Sequence, residues 1–263
     1  MAGKENAIVK YDNTFNKTSL TFFSKVETDV LFSILSYMTN DNKKDEDGRY
    51  SRDFTFSEIR KLTGSKKLHT SRIKKALDSL LASNVEYVVV NENGVREFVK
   101  ANLFSHYKVN EYGAAEIVLT SHMSGKLEAS ENQYTIIEVD EYTSLSTAYA
   151  KDIHRLLRQY RHTGFFTITK DELLRILNPP NVYNDYETIR KVILPAMKQN
   201  EKFFDNLSVN IKDNKILQKE LKFTFTKHPR MKRKEIRKNP NGNRTQKDTE
   251  LESVQDYVRK HMI

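Results

Sequence analysis

The stretch Phe54-Thr-Phe-Ser57 returns later in the chain as Phe166-Thr-Ile-Thr169, and Ile73-Lys-Lys-Ala-Leu77 returns as Ile189-Arg-Lys-Val-Ile193. The two matches are offset by 112 and 116 residues and keep the same order. Two matches at nearly one offset arise by chance far less readily than either alone. We therefore predict that the chain contains two copies of one structural unit.

The first copy is predicted to contain three helices followed by a β-hairpin. Ser24-Lys-Val-Glu27 and Thr55-Phe-Ser-Glu58 have the capping-box pattern that begins a helix. Apolar residues follow at helical spacing, and β-branched and aromatic residues predict strands further on. The predicted elements are helices over about 25–39, 55–64 and 68–82, and strands over 85–90, 95–104 and 114–119. Three helices and a hairpin are the layout of a winged helix.

The second copy is predicted to repeat that layout. Thr169-Lys-Asp-Glu172 is a third capping box, and Asp213-Asn214 is the predicted turn between the last two strands. Pro195 lies inside the third helix, where it removes a hydrogen bond, so we expect a kink or an early helix end there. The predicted elements are helices over about 145–161, 169–177 and 185–200, and strands over 207–211 and 217–225.

These patterns predict an α+β protein built from two tandem winged-helix domains that are related by internal duplication. We place the first domain at residues 1–123 and the second at 132–226, with the junction at 121–131. Residues 227–263 form a basic C-terminal tail, which has eleven lysine and arginine residues against five acidic ones and room for a short helix. Two interpretations of the tail stay open, a solvated segment and a segment that contacts phosphate.

The composition of the 263-residue chain limits the classes of function. It has 44 Lys and Arg against 35 Asp and Glu, a formal net charge of +9, which favours polyanions as partners. Cysteine is absent, which excludes disulfides, cysteine-based zinc sites and cysteine nucleophiles. No run approaches the ~18 apolar residues needed to cross a bilayer, and the amino terminus lacks a hydrophobic leader. We therefore expect a cytoplasmic protein with no membrane partner.

The sequence offers little for catalysis. None of the eight glycines belongs to a phosphate-binding Gly-x-x-x-x-Gly-Lys-Ser/Thr loop. The seven histidines form neither a His-x-His pair nor a His-Glu-x-x-His motif, the patterns that hold a divalent metal. We therefore expect no cofactor, no metal site and no enzymatic activity.

Several segments resemble a known family. They include Val9-Lys-Tyr-Asp-Asn13, the stretch Ser146–Tyr160 and the stretch Ile189–Lys198. Their sequences are similar to the iteron-binding initiators of theta-replicating plasmids, in particular the RepB-type initiators of Gram-positive plasmids. The resemblance spans roughly Ile8 to Phe225, which is nearly the whole chain before the tail.

The resemblance implies two winged helices in a pseudo-dyad relation that bind directly repeated sites, called iterons, in double-stranded DNA at a plasmid origin. In such initiators the second module reads the major groove through its third helix, whereas the first module contacts the DNA backbone and mediates dimerisation. A homodimer that acts as repressor is in equilibrium with a monomer that opens the origin. The further partners that the resemblance implies are the host replication initiator and helicase.

The resemblance and the side-chain chemistry together suggest which residues contact DNA. The family's basic pair falls on Arg190 and Lys191, and Val192 stands where some relatives have a third arginine. The alternative is that this pair is only the solvated face of an amphipathic helix. The full set adds Ser146, Tyr149 and Lys151 from the family's backbone-contacting helix start, and, by side-chain chemistry, Tyr186, Thr188, the turn residues Lys212 and Lys215, and Arg72, Lys74 and Lys75 of the first module.

Other interpretations stay open beside the initiator. A transcriptional repressor with two winged helices would make the same DNA contacts without a helicase partner, and a rolling-circle nicking enzyme is less favoured. The predicted strands 85–90 and 95–103 leave a sheet edge that a second copy of the chain can extend. The alternative is that the chain's own helices cover both strands.

Overall fold

The computed structural model describes six stretches of the chain. They are residues 7–65, 67–90, 93–110, 114–128, 133–211 and 216–228. The predicted DNA contacts Lys212 and Lys215 and the predicted tail after His228 lie outside the described residues.

The first hydrophobic core forms where three helices pack against strands, as predicted. Ser24 accepts a hydrogen bond from the amide of Glu27 at 3.3 Å, and Thr55 accepts one from the amide of Glu58 at 3.2 Å, so both predicted capping boxes begin helices. The elements are β1 (Ile8–Asp12), α1 (Lys25–Asp41), β2 (Ser51–Thr55), α2 (Phe56–Leu62), α3 (Thr70–Ala82), β3 (Asn84–Val90), β4 (Arg96–Asn102), β5 (Phe104–Val109), β6 (Ala114–Leu119), α4 (Ser121–Leu127), β7 (Tyr134–Glu138) and α5 (Val139–Ser144).

The sheet of the first module differs from the predicted hairpin. Strands β2, β6 and β5 form the antiparallel sheet, in that order, whereas β3 and β4 form a separate two-stranded hairpin. The single strand predicted over 95–104 is wrong, because the chain leaves one sheet after Asn102 and joins the other at Phe104. Leu103 and Phe104 are both buried, which breaks the alternation that one continuous strand requires.

The second hydrophobic core has the same arrangement of elements. They are α6 (Ala148–Gln159), β8 (Phe165–Thr169), α7 (Lys170–Leu177), α8 (Asp185–Thr188), a π-helical turn (Ile189–Ile193), α9 (Leu194–Asn200), β9 (Ser208–Val209) and β10 (Glu220–Thr224). The sheet order β8-β10-β9 corresponds strand by strand to β2-β6-β5. Both modules are therefore winged helices, as predicted, while their origin from one duplicated domain stays a prediction.

Residues 185–200 run as one helical segment, which we call the reading helix after the role that the family resemblance implies for it. The early end that Pro195 suggested is wrong, because α9 continues to Asn200. Instead, the amide of Leu194 donates to the carbonyl oxygen of Ile189, a spacing of five residues that belongs to a π turn. The change of helical type places Pro195 in the first turn of α9, where its missing amide hydrogen is tolerated.

The boundary between the two cores lies later in the chain than the predicted junction at 121–131. Strand β7 pairs antiparallel with β1, and Ile137 and Tyr142 are fully buried in the first core. The second core begins at Leu145. Residues 134–142, which we assigned to the second domain, therefore pack with the first one.

Candidate nucleic-acid interface

The reading helix presents a polar outer face above an apolar inner one. Ile189, Val192 and Ile193 are at most 1% exposed and pack in the second core. Arg190 and Lys191 are exposed on the opposite side. Val192, which replaces the third arginine of some relatives, thus points inward, so this position supplies packing and no DNA contact.

Each cation of the basic pair is held by a side chain one turn earlier. Arg190 Nη1 donates to the hydroxyl oxygen of Tyr186 at 2.8 Å, and its guanidinium lies 5.4 Å from the centre of that ring. Lys191 Nζ donates to Glu187 Oε1 at 2.8 Å. This hydrogen bond raises the pKa of Lys191 above its ordinary value, so the ammonium stays charged at neutral pH. The pair is therefore oriented before any ligand arrives.

The first turn of the reading helix is fixed to its surroundings. Asn184 caps the helix and accepts from the amide of Glu187 at 3.0 Å. The Asp185 carboxylate binds Lys170 Nζ of α7 at 2.7 Å and accepts from the amide of Leu217 at 3.1 Å. These bonds tie the helix to its neighbouring helix and to the chain that enters β10.

Thr188 does not contribute to this outer face. It is 2% exposed, and its amide donates to the carbonyl oxygen of Asn184 at 2.9 Å. A side chain buried beneath the helix does not reach a base edge, so the structure contradicts the predicted contact from Thr188. Tyr186, by contrast, is 42% exposed and remains available.

The three candidates at the start of α6 have different environments. Ser146 is exposed, and its amide and hydroxyl donate to Gln199 Oε1 at 2.8 Å and 2.9 Å. Tyr149 is half-buried, and burial raises the pKa of its hydroxyl. Ser146 therefore links the start of this helix to α9, and both residues remain at the protein surface.

Lys151 is a correction to the predicted set. Its side chain is 1% exposed, and its Nζ pairs with the Asp29 carboxylate and donates to Thr28 Oγ1 at 2.7 Å. Burial lowers the pKa of Lys151 to about 8, against the opposing effect of Asp29. Both partners belong to α1 of the first module. Lys151 thus joins the two modules and does not face DNA.

The contact between the modules is polar and buried, and sequence reasoning missed it. Arg155 is fully buried and donates to the carbonyl oxygens of Phe15 at 2.9 Å and Thr18 at 2.5 Å. It also pairs with Asp152 at 2.6 Å. The signal in the sequence is a pair of opposite charges three residues apart within an otherwise apolar helix face, a pattern that also describes many surface pairs.

The corresponding helix of the first module also exposes cations. Arg72, Lys74 and Lys75 are exposed on α3, on the side opposite the buried residues Ile73 and Leu77. The structure therefore brings the basic residues of each module onto the outer face of its third helix, as predicted.

Membrane-spanning and metal-binding features are not found in the described part of the chain. Within it, no helix combines the length and the apolar composition that a membrane span requires. The same residues contain no group of three or more His, Asp or Glu side chains placed to hold a metal ion.

Comparisons with known proteins agree with this architecture. A family model described as "Initiator Replication protein, WH1" matches residues 8–158, more than half of the chain. A "Probable replication protein rep" of Bifidobacterium longum (strain NCC 2705) is 28% identical over 195 residues, which cover 72% of this chain and 62% of that relative. The match thus spans less than two thirds of the relative's length.

A solved structure shares the fold over most of both chains. The crystal structure of the Pi initiator protein in complex with iteron DNA is similar with a TM-score of 0.63 and 18% identity, over 85% of this chain and 98% of that one. At this identity the similarity concerns the fold. Together with the family match over residues 8–158, it shows that the chain belongs to the initiator replication protein family.

Proposed function

We propose that the chain initiates plasmid replication by binding iterons in double-stranded origin DNA with its two winged helices. The observation that carries the proposal is the exposed Arg190–Lys191 pair, held in place on the outer face of the reading helix. Family membership and the fold shared with a protein crystallised on iteron DNA support it.

The chemistry of the basic pair suits the major groove. A guanidinium donates two hydrogen bonds to O6 and N7 of guanine, and a lysine ammonium pairs with guanine or with phosphate. We assign Arg190 to a base, and Lys191 to a base or a neighbouring phosphate. We assign Ser146, Tyr149 and the cations of α3 to the DNA backbone, where contacts position the protein without reading sequence.

The β3–β4 hairpin is our proposed homodimer surface. Phe98 is 87% exposed and lies opposite Val88 in the hairpin, while Val85 and Tyr87 face the protein. An exposed phenylalanine on a two-stranded hairpin offers both an apolar contact and a sheet edge to a second copy. Val88→Lys is expected to shift a dimer towards monomer and to leave binding of a single iteron intact, which sedimentation over a range of concentrations and titration with one iteron measure.

The proposal extends to steps after binding. Origin opening and recruitment of the host replication initiator and helicase, in the cytoplasm and without catalysis by this chain, follow from the family resemblance. A repressor is the second candidate, because it makes the same DNA contacts and initiators of this kind repress their own gene.

Footprinting on the DNA around the protein's own gene tests the proposal. Protection of directly repeated sequences is the expected result, and an even, sequence-independent pattern contradicts it. Incubation with supercoiled origin DNA and magnesium separates the remaining functions. Local opening of an adjacent AT-rich segment supports an initiator, an intact duplex supports a repressor, and relaxation of the plasmid supports a nicking enzyme.

A further inference from the structure

The outer face of the reading helix carries an exposed aliphatic side chain between its cations. Tyr186, Arg190, Leu194 and Lys198 follow one another at four-residue spacing. They form one row along the helix, because Arg190 donates to Tyr186 and the side chains of Arg190, Leu194 and Lys198 line one groove. Leu194 is 37% exposed, and its neighbours in the row, Arg190 and Lys198, are exposed cations. A leucine left partly in water forgoes part of the free energy that burial provides.

The fold does not need this side chain for its core. Ile189, Val192 and Ile193 already fill the inner face, and it is the backbone amide of Leu194 that closes the π turn. The side chain instead lines a groove of about 470 Å³ between the reading helix and β9, together with the charged residues Arg190, Lys198 and Glu201. Leu194 is therefore positioned to contact a ligand that lies along this row of side chains.

The neighbours of Leu194 identify the chemistry of that ligand. Lys198 Nζ already pairs with Glu201 at 2.7 Å, whereas Arg190 donates to the neutral hydroxyl of Tyr186. An apolar protein surface or a lipid tail would remove water from this guanidinium without giving it an anion, which costs free energy. DNA offers a partner both to the cations and to the leucine. Phosphates and guanine accept hydrogen bonds from the cations, and the 5-methyl group of thymine packs against an apolar side chain in the major groove. A helical turn rises 5.4 Å and a base step about 3.4 Å, so Leu194 falls one to two steps from the base that faces Arg190.

We propose that Leu194 contacts the 5-methyl group of a thymine and makes the protein prefer thymine one to two base steps from the base that Arg190 reads. The inference rests on the proposed function, since it assumes that the reading helix enters the major groove. It adds an apolar specificity residue to a face whose predicted contacts were all polar or charged.

The test replaces each thymine of the preferred site, one at a time, by uracil, which removes only the methyl group. The site is first obtained by selecting bound duplexes from a randomised pool with the wild-type protein. Wild type is then expected to lose about fourfold in affinity at one thymine, the factor that corresponds to burying one methyl group. Leu194→Ala is expected to show no loss at that thymine.

Two controls complete the design. Leu194→Met keeps an apolar tip and is expected to keep the uracil effect, and Phe165→Ala, which removes a half-exposed apolar side chain of β8 outside the row, is expected to keep it as well. Equal uracil sensitivity of wild type and Leu194→Ala at every thymine overturns the inference while leaving the proposed function intact. Failure of wild type to select any site overturns the proposed function and the inference with it.

Discussion

The third helices of the two modules occupy the same place in the winged-helix fold, yet they hold their cations differently. On the reading helix, Arg190 is bonded to Tyr186 and Lys191 to Glu187. On α3, the side chains of Arg72 and Lys75 make no hydrogen bond or ion pair with any other described residue. Oriented donors suit hydrogen bonds to particular bases, whereas unrestrained cations suit phosphates, which attract from many directions. This difference supports our proposal that the second module reads sequence and the first adds general affinity.

The largest expected effect tests the contact that joins the two modules. Arg155→Ala removes a buried guanidinium that binds two carbonyl oxygens and Asp152, and it leaves the Asp152 carboxylate with the amide of Leu20 but without its ion-pair partner. Breaking a buried ion pair from one side costs about 3–5 kcal/mol of the free energy of unfolding. Urea unfolding measures it. Arg72→Ala, at an exposed site, is the matched control and should change stability by less than about 0.5 kcal/mol; similar values for both would mean that the buried contact contributes little.

Removing the oriented guanidinium is the next largest change. Arg190→Ala is expected to weaken binding to the preferred site by about 1–3 kcal/mol and binding to random DNA only slightly, because a bidentate base contact carries discrimination. Titrations with both DNAs measure the two effects. Arg72→Ala provides the comparison and should weaken both complexes alike. If Arg190→Ala also weakens both alike, Arg190 belongs to the phosphate contacts and the two helices do not differ.

The second core also differs from the surface in its response to acid. His154 is fully buried, with Nδ1 2.8 Å from Asn200 Oδ1, and burial lowers its pKa to about 3. Below about pH 6.5 the unfolded chain takes up a proton that the folded protein excludes, so stability falls as the pH falls. The decrease in the free energy of unfolding from about pH 6.5 to about pH 5.5 is about 1 kcal/mol.

Denaturation at several pH values measures that slope. His154→Gln is expected to flatten it whatever its effect on stability at neutral pH, while His162→Gln, at an exposed position, should leave it as in wild type. An unchanged slope in His154→Gln would place the acid sensitivity elsewhere in the molecule.

The smallest effect concerns two of the exposed cations on α3. The double substitution Lys74→Ala with Lys75→Ala is expected to lower affinity for specific and random DNA equally. It should also reduce the slope of log affinity against log salt by about 0.9 for each phosphate that the protein no longer neutralises. Binding measured from low to moderate salt gives the slope. A slope equal to that of wild type would show that these two lysines of α3 do not contact DNA phosphates.

Sequence reasoning succeeded where the determining interactions are local. A capping box such as Thr55 with Glu58 spans four residues, so its pattern is visible in the sequence and its helix begins as predicted. The basic pair Arg190 and Lys191 is likewise exposed because apolar neighbours at helical spacing turn it outward. Such features depend on residues within one or two turns.

It failed where the deciding partner is distant in the chain. In the sequence, Lys151 looks like a surface cation. In the structure, the packing of the two modules brings Asp29 against it. The pairing of β6 with β2, and not only with its neighbour β5, is equally non-local. The prediction for Thr188 failed for another reason. Its hydroxyl suggested a place on the outer face of the helix, but the side chain is buried on the inner face.

The pairing of β1 with β7 has a consequence for how the protein is made. Ile8 lies opposite Glu138, so the first strand cannot pair until more than half of the chain has been synthesised. Contacts of such high sequence separation slow folding and leave a strand edge exposed in the meantime. The first module is therefore expected to fold on the ribosome only after residue 142 has emerged, and a nascent chain stalled at residue 123 would remain sensitive to protease.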